Sequence, residues 1–231
     1  MEDRMEIIEK AKKEGRTLLS ESESKQLLAA YKIPITKEVM VDNREGLAKA
    51  IKEVGFPLVL KGNSPDISHK TEKGMIHTDL RNEQEAISAF DDIMGKMEGS
   101  NGNVLVQEMV KGQRELVFGL TRDPQFGPCV MFGLGGIFTE ILRDVSFRVA
   151  PIEKRDALEM MKEIKGHKIL EAVRGMEAAD LDQLSEILIN LGNIGMEHDA
   201  IKEIDINPVI LSGSKGVAVD ALVVLESEKS E

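Results

Sequence analysis

Near the C-terminal end the run Ile201-Lys-Glu-Ile-Asp-Ile-Asn207 alternates polar and apolar residues. Alternate side chains of a strand share a face. Glu203, Asp205 and Asn207 therefore point one way, and Ile204 and Ile206 the other. A second apolar run, Gly216-Val-Ala-Val-Asp220, reads as the hairpin partner across the turn Ser212-Gly-Ser-Lys-Gly216, with Asp220 at its end. Oxygen ligands converging from neighbouring strands suit Mg²⁺, above all where phosphate oxygens complete its shell. An ordinary polar sheet face fits the same pattern, and spacing alone does not separate the two.

Lys61 closes the apolar run Pro57-Leu-Val-Leu-Lys61. Its ammonium either snorkels to water or meets an anion such as a phosphate. The turn-rich stretch after it, residues 62–73, holds His69 between Asp66, Ser68 and Lys70. His69 is either an exposed loop histidine or a nucleophile and proton carrier. Glu108 and Glu115 flank Lys111-Gly-Gln113 and supply acceptors that suit an adenine amino group and a ribose diol, or else are two surface carboxylates. Gly133-Leu-Gly-Gly136 follows a strand, and its backbone N–H groups could approach a phosphate. It is not the dinucleotide fingerprint, because Phe138 stands where a third glycine belongs. No Walker P-loop occurs anywhere in the chain. Arg148, inside the apolar run Phe147-Arg-Val149, calls for a specific anionic partner. His77, His167 and His198 lack zinc-ligand spacing and read as structural.

These residues need elements to hold them. Residues 1–16 are charged and read as a helix or a frayed arm. Ser20 and Glu23 read as a capping box for a helix that buries Leu27, Leu28 and Tyr31 and stops at Pro34. A strand at 38–41, a helix from Asn43 to Val54, strands at 57–61 and 74–78, a helix from Asn82 to Met97 and a strand at 104–110 follow. That order suits a small α/β subdomain of about 75 residues, with helices on one face of a mixed sheet. After the hinge at Lys111–Gln113 come strands at 115–120 and 128–132, helices between Glu153 and His198, and the two closing strands. The clearest helix starts near Asp180, with Leu181, Leu184, Ile187, Leu188 and Leu191 in one stripe.

The chain has 231 residues, a net charge of -11 and aromatics at only 3%. An acidic surface with few stacking rings argues against nucleic acid and anionic membranes as partners. The single cysteine, Cys129, excludes an internal disulfide framework and reads as a buried small hydrophobe in a reducing compartment. No stretch reaches 18 uncharged apolar residues, and the N-terminus has no signal-peptide core. The expected location is cytoplasmic.

Leu60-Lys-Gly-Asn-Ser-Pro-Asp-Ile-Ser-His-Lys70, Val106-Gln-Glu-Met-Val110, Phe132-Gly-Leu-Gly-Gly-Ile-Phe-Thr-Glu140 and Glu203-Ile-Asp-Ile-Asn-Pro208 occur in this order. Together they resemble the beta subunits of ADP-forming acetate–CoA ligases, an ATP-grasp family related to the beta subunit of succinyl-CoA synthetase. The resemblance covers about residues 17–225. It implies an α+β ATP-grasp fold, two α/β subdomains clasping a nucleotide between them. Residues 1–36 would be an N-terminal arm and helix, 37–110 the smaller subdomain, 111–225 the larger one and 226–231 a tail.

The reaction implied is reversible: acyl-CoA, ADP and phosphate give carboxylic acid, CoA and ATP. By position, Lys61 would contact nucleotide phosphates, Glu108 and the backbone near Val110 would hold adenine, and Glu115 the ribose. Gly135, Gly136 and Arg148 would complete the nucleotide site. Asn207 and Asp220 would bind Mg²⁺, with Asp205 helping directly or through water. His69 matches a second phosphoryl carrier between ADP and a phosphorylated histidine on an alpha subunit, which would also hold the CoA site. The assembly implied is an α₂β₂ heterotetramer. Two other readings stay open: a stand-alone ATP-grasp ligase working through an acyl-phosphate, and a nucleotide-binding module without catalysis.

Overall fold

The computed structural model describes residues 4–63, 74–97, 102–136, 144–172 and 175–227. Helices α1 (Arg4–Lys13) and α2 (Glu21–Ala30) come first. The chain divides into two compact units, one made of Ser20–Ser22 and Thr36–Val110, the other of Met1–Leu19, Glu23–Ile35 and Lys111–Glu231.

The smaller unit contains β1 (Glu38–Val41), α3 (Arg44–Val54), β2 (Leu58–Asn63), β3 (Ile76–Leu80), α4 (Glu83–Lys96) and β4 (Asn103–Glu108). Both helices start at asparagine caps. Asn43 Oδ1 accepts the Gly46 N–H at 2.8 Å and Asn82 Oδ1 the Glu85 N–H at 3.0 Å, each satisfying a donor the helix leaves open. Gly55 ends α3 at φ 85°, a conformation that suits a residue without a Cβ.

The sheet order is β1-β4-β2-β3, and every neighbouring pair is antiparallel. The mixed sheet expected from the sequence is therefore corrected. Each helical crossover does join two parallel strands, β1 to β2 and β3 to β4. In both cases a strand of opposite direction fills the slot between them. Leu47, Ala50, Phe90 and Ile93 of the helices pack on Leu58, Leu60, Val104 and Val106. Strand alternation turns Lys61, Asn63, Leu105 and Gln107 to the other face.

The larger unit contains β5 (Glu115–Asp123), β6 (Gly127–Leu134), β7 (Val145–Val149), α5 (Lys154–Glu163), a 3₁₀ turn (His167–Leu170), α6 (Leu181–Glu197), β8 (Ile201–Ser212), β9 (Lys215–Ala218) and β10 (Leu222–Leu225). Asp180 caps α6 by accepting the Gln183 N–H at 3.0 Å. The sheet runs β10-β8-β5-β6-β7, with β9 also paired to β8. One face packs Phe118, Phe132, Ile204 and Ile206 against Met160, Leu184, Leu188 and Leu191 of the helices. Ile7, Ile8 and Ala11 of α1 and Leu27 and Leu28 of α2 join the same core.

Three strands, not two, close the described chain, and β8 is twelve residues long. β9 and β10 pair with β8 in one register from Lys215 to Val224, with a shift only at Leu225, so they form a single strand interrupted at residues 219–221. No described helix is long and apolar enough to cross a membrane.

Candidate functional site

The interruption between β9 and β10 carries Asp220. β8 pairs Val209 with Ala218 on one side of it and Asp205 with Leu222 on the other, in the same register. Asn207 therefore stands directly across from Asp220. The sequence placed Asp220 at the end of a strand; it lies instead in the break, where its Oδ1 accepts the Ala221 N–H at 2.9 Å. Val219 still reaches the Pro208 carbonyl at 3.0 Å. Pro208 has no N–H to donate, and the pairing with β5 shifts register between Leu116 and Phe118, alongside it. A strand interior tolerates proline at such an irregularity.

Ile204 and Ile206 are buried, whereas Glu203 and Asn207 are exposed and Asp205 is half-buried, as the alternation predicted. Partial burial disfavours the ionised Asp205 carboxyl, and the negative charges of Glu203 and Asp220 add to this. Its pKa is pushed up to about 6. Among the described residues no three His, Cys, Asp or Glu side chains form a complete metal cage. Two carboxylates and an amide oxygen instead make a partial, all-oxygen set with excess negative charge. That donor set fits Mg²⁺, which keeps several positions for water and phosphate.

Glu115 opens β5, two strands' width from the closing edge. The Gly135 N–H donates to the Glu115 carbonyl at 2.8 Å. A Cβ on Gly135 would lie 2.8 Å from the Leu116 nitrogen and 2.9 Å from its carbonyl oxygen. Gly136 has φ +63°, and a Cβ there would come within 2.5 Å of Glu115 Oε2. The glycines thus let the turn close over β5 and give the Glu115 carboxylate its space. The Gly135 N–H is spent within the fold rather than offered to a phosphate.

Lys61, Glu108 and Val110 belong to the smaller unit. Lys61 does not snorkel: it is buried, and its Nζ lies 2.7 Å from Glu21 Oε1. Glu21, the first residue of α2, was not singled out from the sequence. Its neighbour Glu23 was, and Glu23 forms a two-pronged pair with Arg16, both contacts at 2.9 Å. Glu108 ends β4, where its Oε1 accepts the Lys37 N–H at 2.8 Å. Val110 lies just past the strand and is half-buried.

Arg148 has its anion inside the fold, a two-pronged pair with Glu163 of α5. β7 turns Ser146 and Arg148 toward α5, and Phe147 pairs through Met131 and Gly119 to Asp205. Arg148 is thus on the sheet face opposite Asp205 and Asn207. His69 and Glu140 lie outside the described residues. Cys129 is half-buried, not buried, because strand parity sends it to the open face; desolvation and Asp123 push its thiol pKa up. His77 pairs with Asp92 at 2.8 Å, and buried His198 lies 2.8 Å from the Tyr31 hydroxyl.

The family model of the ATP-grasp domain matches residues 10–225. The beta subunit of acetate–CoA ligase [ADP-forming] I from Pyrococcus furiosus is 45% identical over 95% of this chain and 97% of its own. The chain belongs to this ATP-grasp family, as a beta subunit of ADP-forming acetate–CoA ligase. Such an enzyme is a ligase that forms a carbon–sulfur bond, which sets aside the non-catalytic module. Ca. Korarchaeum cryptofilum acetyl-coenzyme A synthetase 1, solved with coenzyme A and Ca-AMPCP, matches with a TM-score of 0.92 at 42% identity, covering 97% of this chain and 100% of that one. The same synthetase was also solved with coenzyme A and Mg-AMPPCP, its phosphohistidine segment pointing towards the nucleotide-binding site, and matches with a TM-score of 0.87 at 42% identity, covering 97% of this chain and 100% of that one. Acetate–CoA ligase [ADP-forming] I of Archaeoglobus fulgidus is 38% identical over 96% of this chain but only 33% of its own length.

Proposed function

We propose that this ligase subunit binds ADP or ATP with Mg²⁺ and completes a phosphohistidine relay begun on a separate alpha subunit. The observation that carries the nucleotide part is the Asn207–Asp220 pairing across β8, beside an Asp205 whose charge is disfavoured. Excess negative charge without a cation is costly, and a divalent ion relieves it. Asn207 and Asp220 would hold Mg²⁺, with Asp205 helping directly or through water. When bound, Mg²⁺ neutralises charge on the phosphate oxygens. That the Korarchaeum synthetase was solved with Mg-AMPPCP supports a magnesium nucleotide as the ligand.

Lys61 supplies a fixed positive charge to the phosphates. Glu108 and the backbone at Val110 take the adenine, and Glu115, in the room left by Gly136, takes the ribose. Phosphoryl transfer spreads charge over the moving group, so positioning and neutralisation are most of what the site must do. An imidazole nitrogen of His69 attacks the phosphorus carried by the alpha-subunit histidine, and the old P–N bond breaks. A terminal phosphate oxygen of ADP then attacks that phosphorus, the P–N bond to His69 breaks, and ATP forms. Neutral imidazole is a competent nucleophile near pH 7.

A separate partner is supported by the beta-subunit relative and by the Archaeoglobus ligase, of whose length this chain matches about a third. The alpha subunit would carry the CoA site and the first histidine in an α₂β₂ assembly. The test mixes the chain with its alpha subunit, Mg²⁺ and ATP labelled in the γ-phosphate. An acid-labile, base-stable adduct on His69 is expected, and His69→Ala abolishes CoA-dependent ATP formation. Full ATP formation by that variant would refute the relay.

A further inference from the structure

Lys61 lies on β2 between β4 and β3, opposite Leu105 and Ile76. A lysine side chain loses roughly 2 kcal/mol of rotamer entropy when fixed. In this fold it is fixed by Glu21, and the two side chains are only 5% and 1% exposed. The carboxylate is itself set by its surroundings. It stands at the first residue of α2, where the helix dipole favours negative charge. Asn63 Oδ1 takes the N–H of the next residue, Ser22, in a long 3.5 Å contact, and Asn63 Nδ2 donates to Asn103 Oδ1 at 2.9 Å.

A buried ion pair is a poor stability device, since apolar residues of the same volume often do as well or better. Its place on the strand that presents the proposed phosphate ligand asks for another reason. An ammonium carries three hydrogens, so a bond to Glu21 and bonds to phosphate oxygens can coexist. We propose that Glu21 is a positioning residue for phosphoryl transfer: without touching the nucleotide, it holds the Lys61 ammonium where the phosphates are bound. This rests on Lys61 being a phosphate ligand, as argued above.

The test uses the enzyme reconstituted with its alpha subunit and reads kcat and KM for ADP in CoA-dependent ATP formation, with melting temperatures alongside. Lys61→Met is expected to lower kcat/KM for ADP about 100-fold or more. Glu21→Gln is expected to lower kcat about 10- to 100-fold, the scale of a misplaced catalytic group. The KM for acyl-CoA stays unchanged. In the Lys61→Met background the same Glu21 change is expected to cost less than about 2-fold, because its effect runs through the ammonium. A Glu21→Gln enzyme within about 2-fold of wild type, beside an impaired Lys61→Met, would overturn the positioning role and leave the Lys61 reading intact. An undiminished loss in the Lys61→Met background would make Glu21 merely structural. Near-wild-type activity in Lys61→Met would overturn both. If Glu21→Gln melts below the assay temperature, Glu21→Asp decides: it keeps the charge one methylene short, and an unchanged kcat contradicts the proposal.

Discussion

Asp205 titrates near pH 6 because its carboxyl is partly desolvated and shares its surroundings with Glu203 and Asp220. An unfolded aspartate titrates at about 3.9. The metal-free folded chain therefore binds more protons than the unfolded chain between about pH 4 and 6, and this contribution to stability is lost as pH rises through 6. Asp205→Asn is expected to raise the melting temperature of the EDTA-treated protein at pH 7.5 and to flatten its change between pH 5 and 7.5. Parallel pH profiles for the two proteins would contradict the shift. The alternation that exposes Glu203, Asp205 and Asn207 was legible because a strand's period is local. Glu21 was not, because its lysine lies forty residues away and no spacing signals a tertiary pair. Arg148 did call for an anion, but sequence could not say that Glu163, fifteen residues on, would be that anion.

The turn at Gly135 and Gly136 holds the start of β5 in place. In Gly135→Ala the new methyl meets backbone atoms of Glu115 and Leu116, which cannot rotate away. A cost of about 1–3 kcal/mol is expected, from overpacking of this kind. Denaturant midpoints measure it, and weaker ADP binding is expected as Glu115 moves. An unshifted midpoint would mean the turn is looser than described. Asn43→Ala removes a helix cap and is expected to cost about 1 kcal/mol, read from the same unfolding curves with nucleotide binding unchanged. The caps at Asn43, Asn82 and Asp180 were readable because capping joins residues three apart. The antiparallel sheet of the smaller unit was not, since a crossover does not record which strand fills the slot it skips. β10 was missed because the break at Asp220 reads as the end of a strand.

Each unit has its own hydrophobic core, so a buried truncation in either is felt there first. Leu188→Ala leaves a cavity under the larger sheet and is expected to cost 2–5 kcal/mol, on the scale of such changes. A calorimetric melt reads it, and a loss below about 1 kcal/mol would mean that α6 is not packed as described. The family was legible across most of the chain, because four motifs keep their order over both units. The stoichiometry of the proposed assembly came from the resemblance alone, because no spacing within one chain encodes how many copies associate. The chain by itself is expected to bind nucleotide yet make no ATP from acyl-CoA until an alpha subunit is added. ATP formation by the chain alone would contradict that division of labour.

The central claim is that the closing strands hold the metal of a magnesium nucleotide. Calorimetric titration of ADP into the chain, with Mg²⁺ and with EDTA, tests it directly. Binding is expected to weaken at least about tenfold on removing Mg²⁺, a loss of about 1.4 kcal/mol. Asn207→Ala and Asp220→Ala are expected to abolish that Mg²⁺ dependence while leaving the fold intact. Wild-type, fully Mg²⁺-dependent binding in both variants would contradict the account.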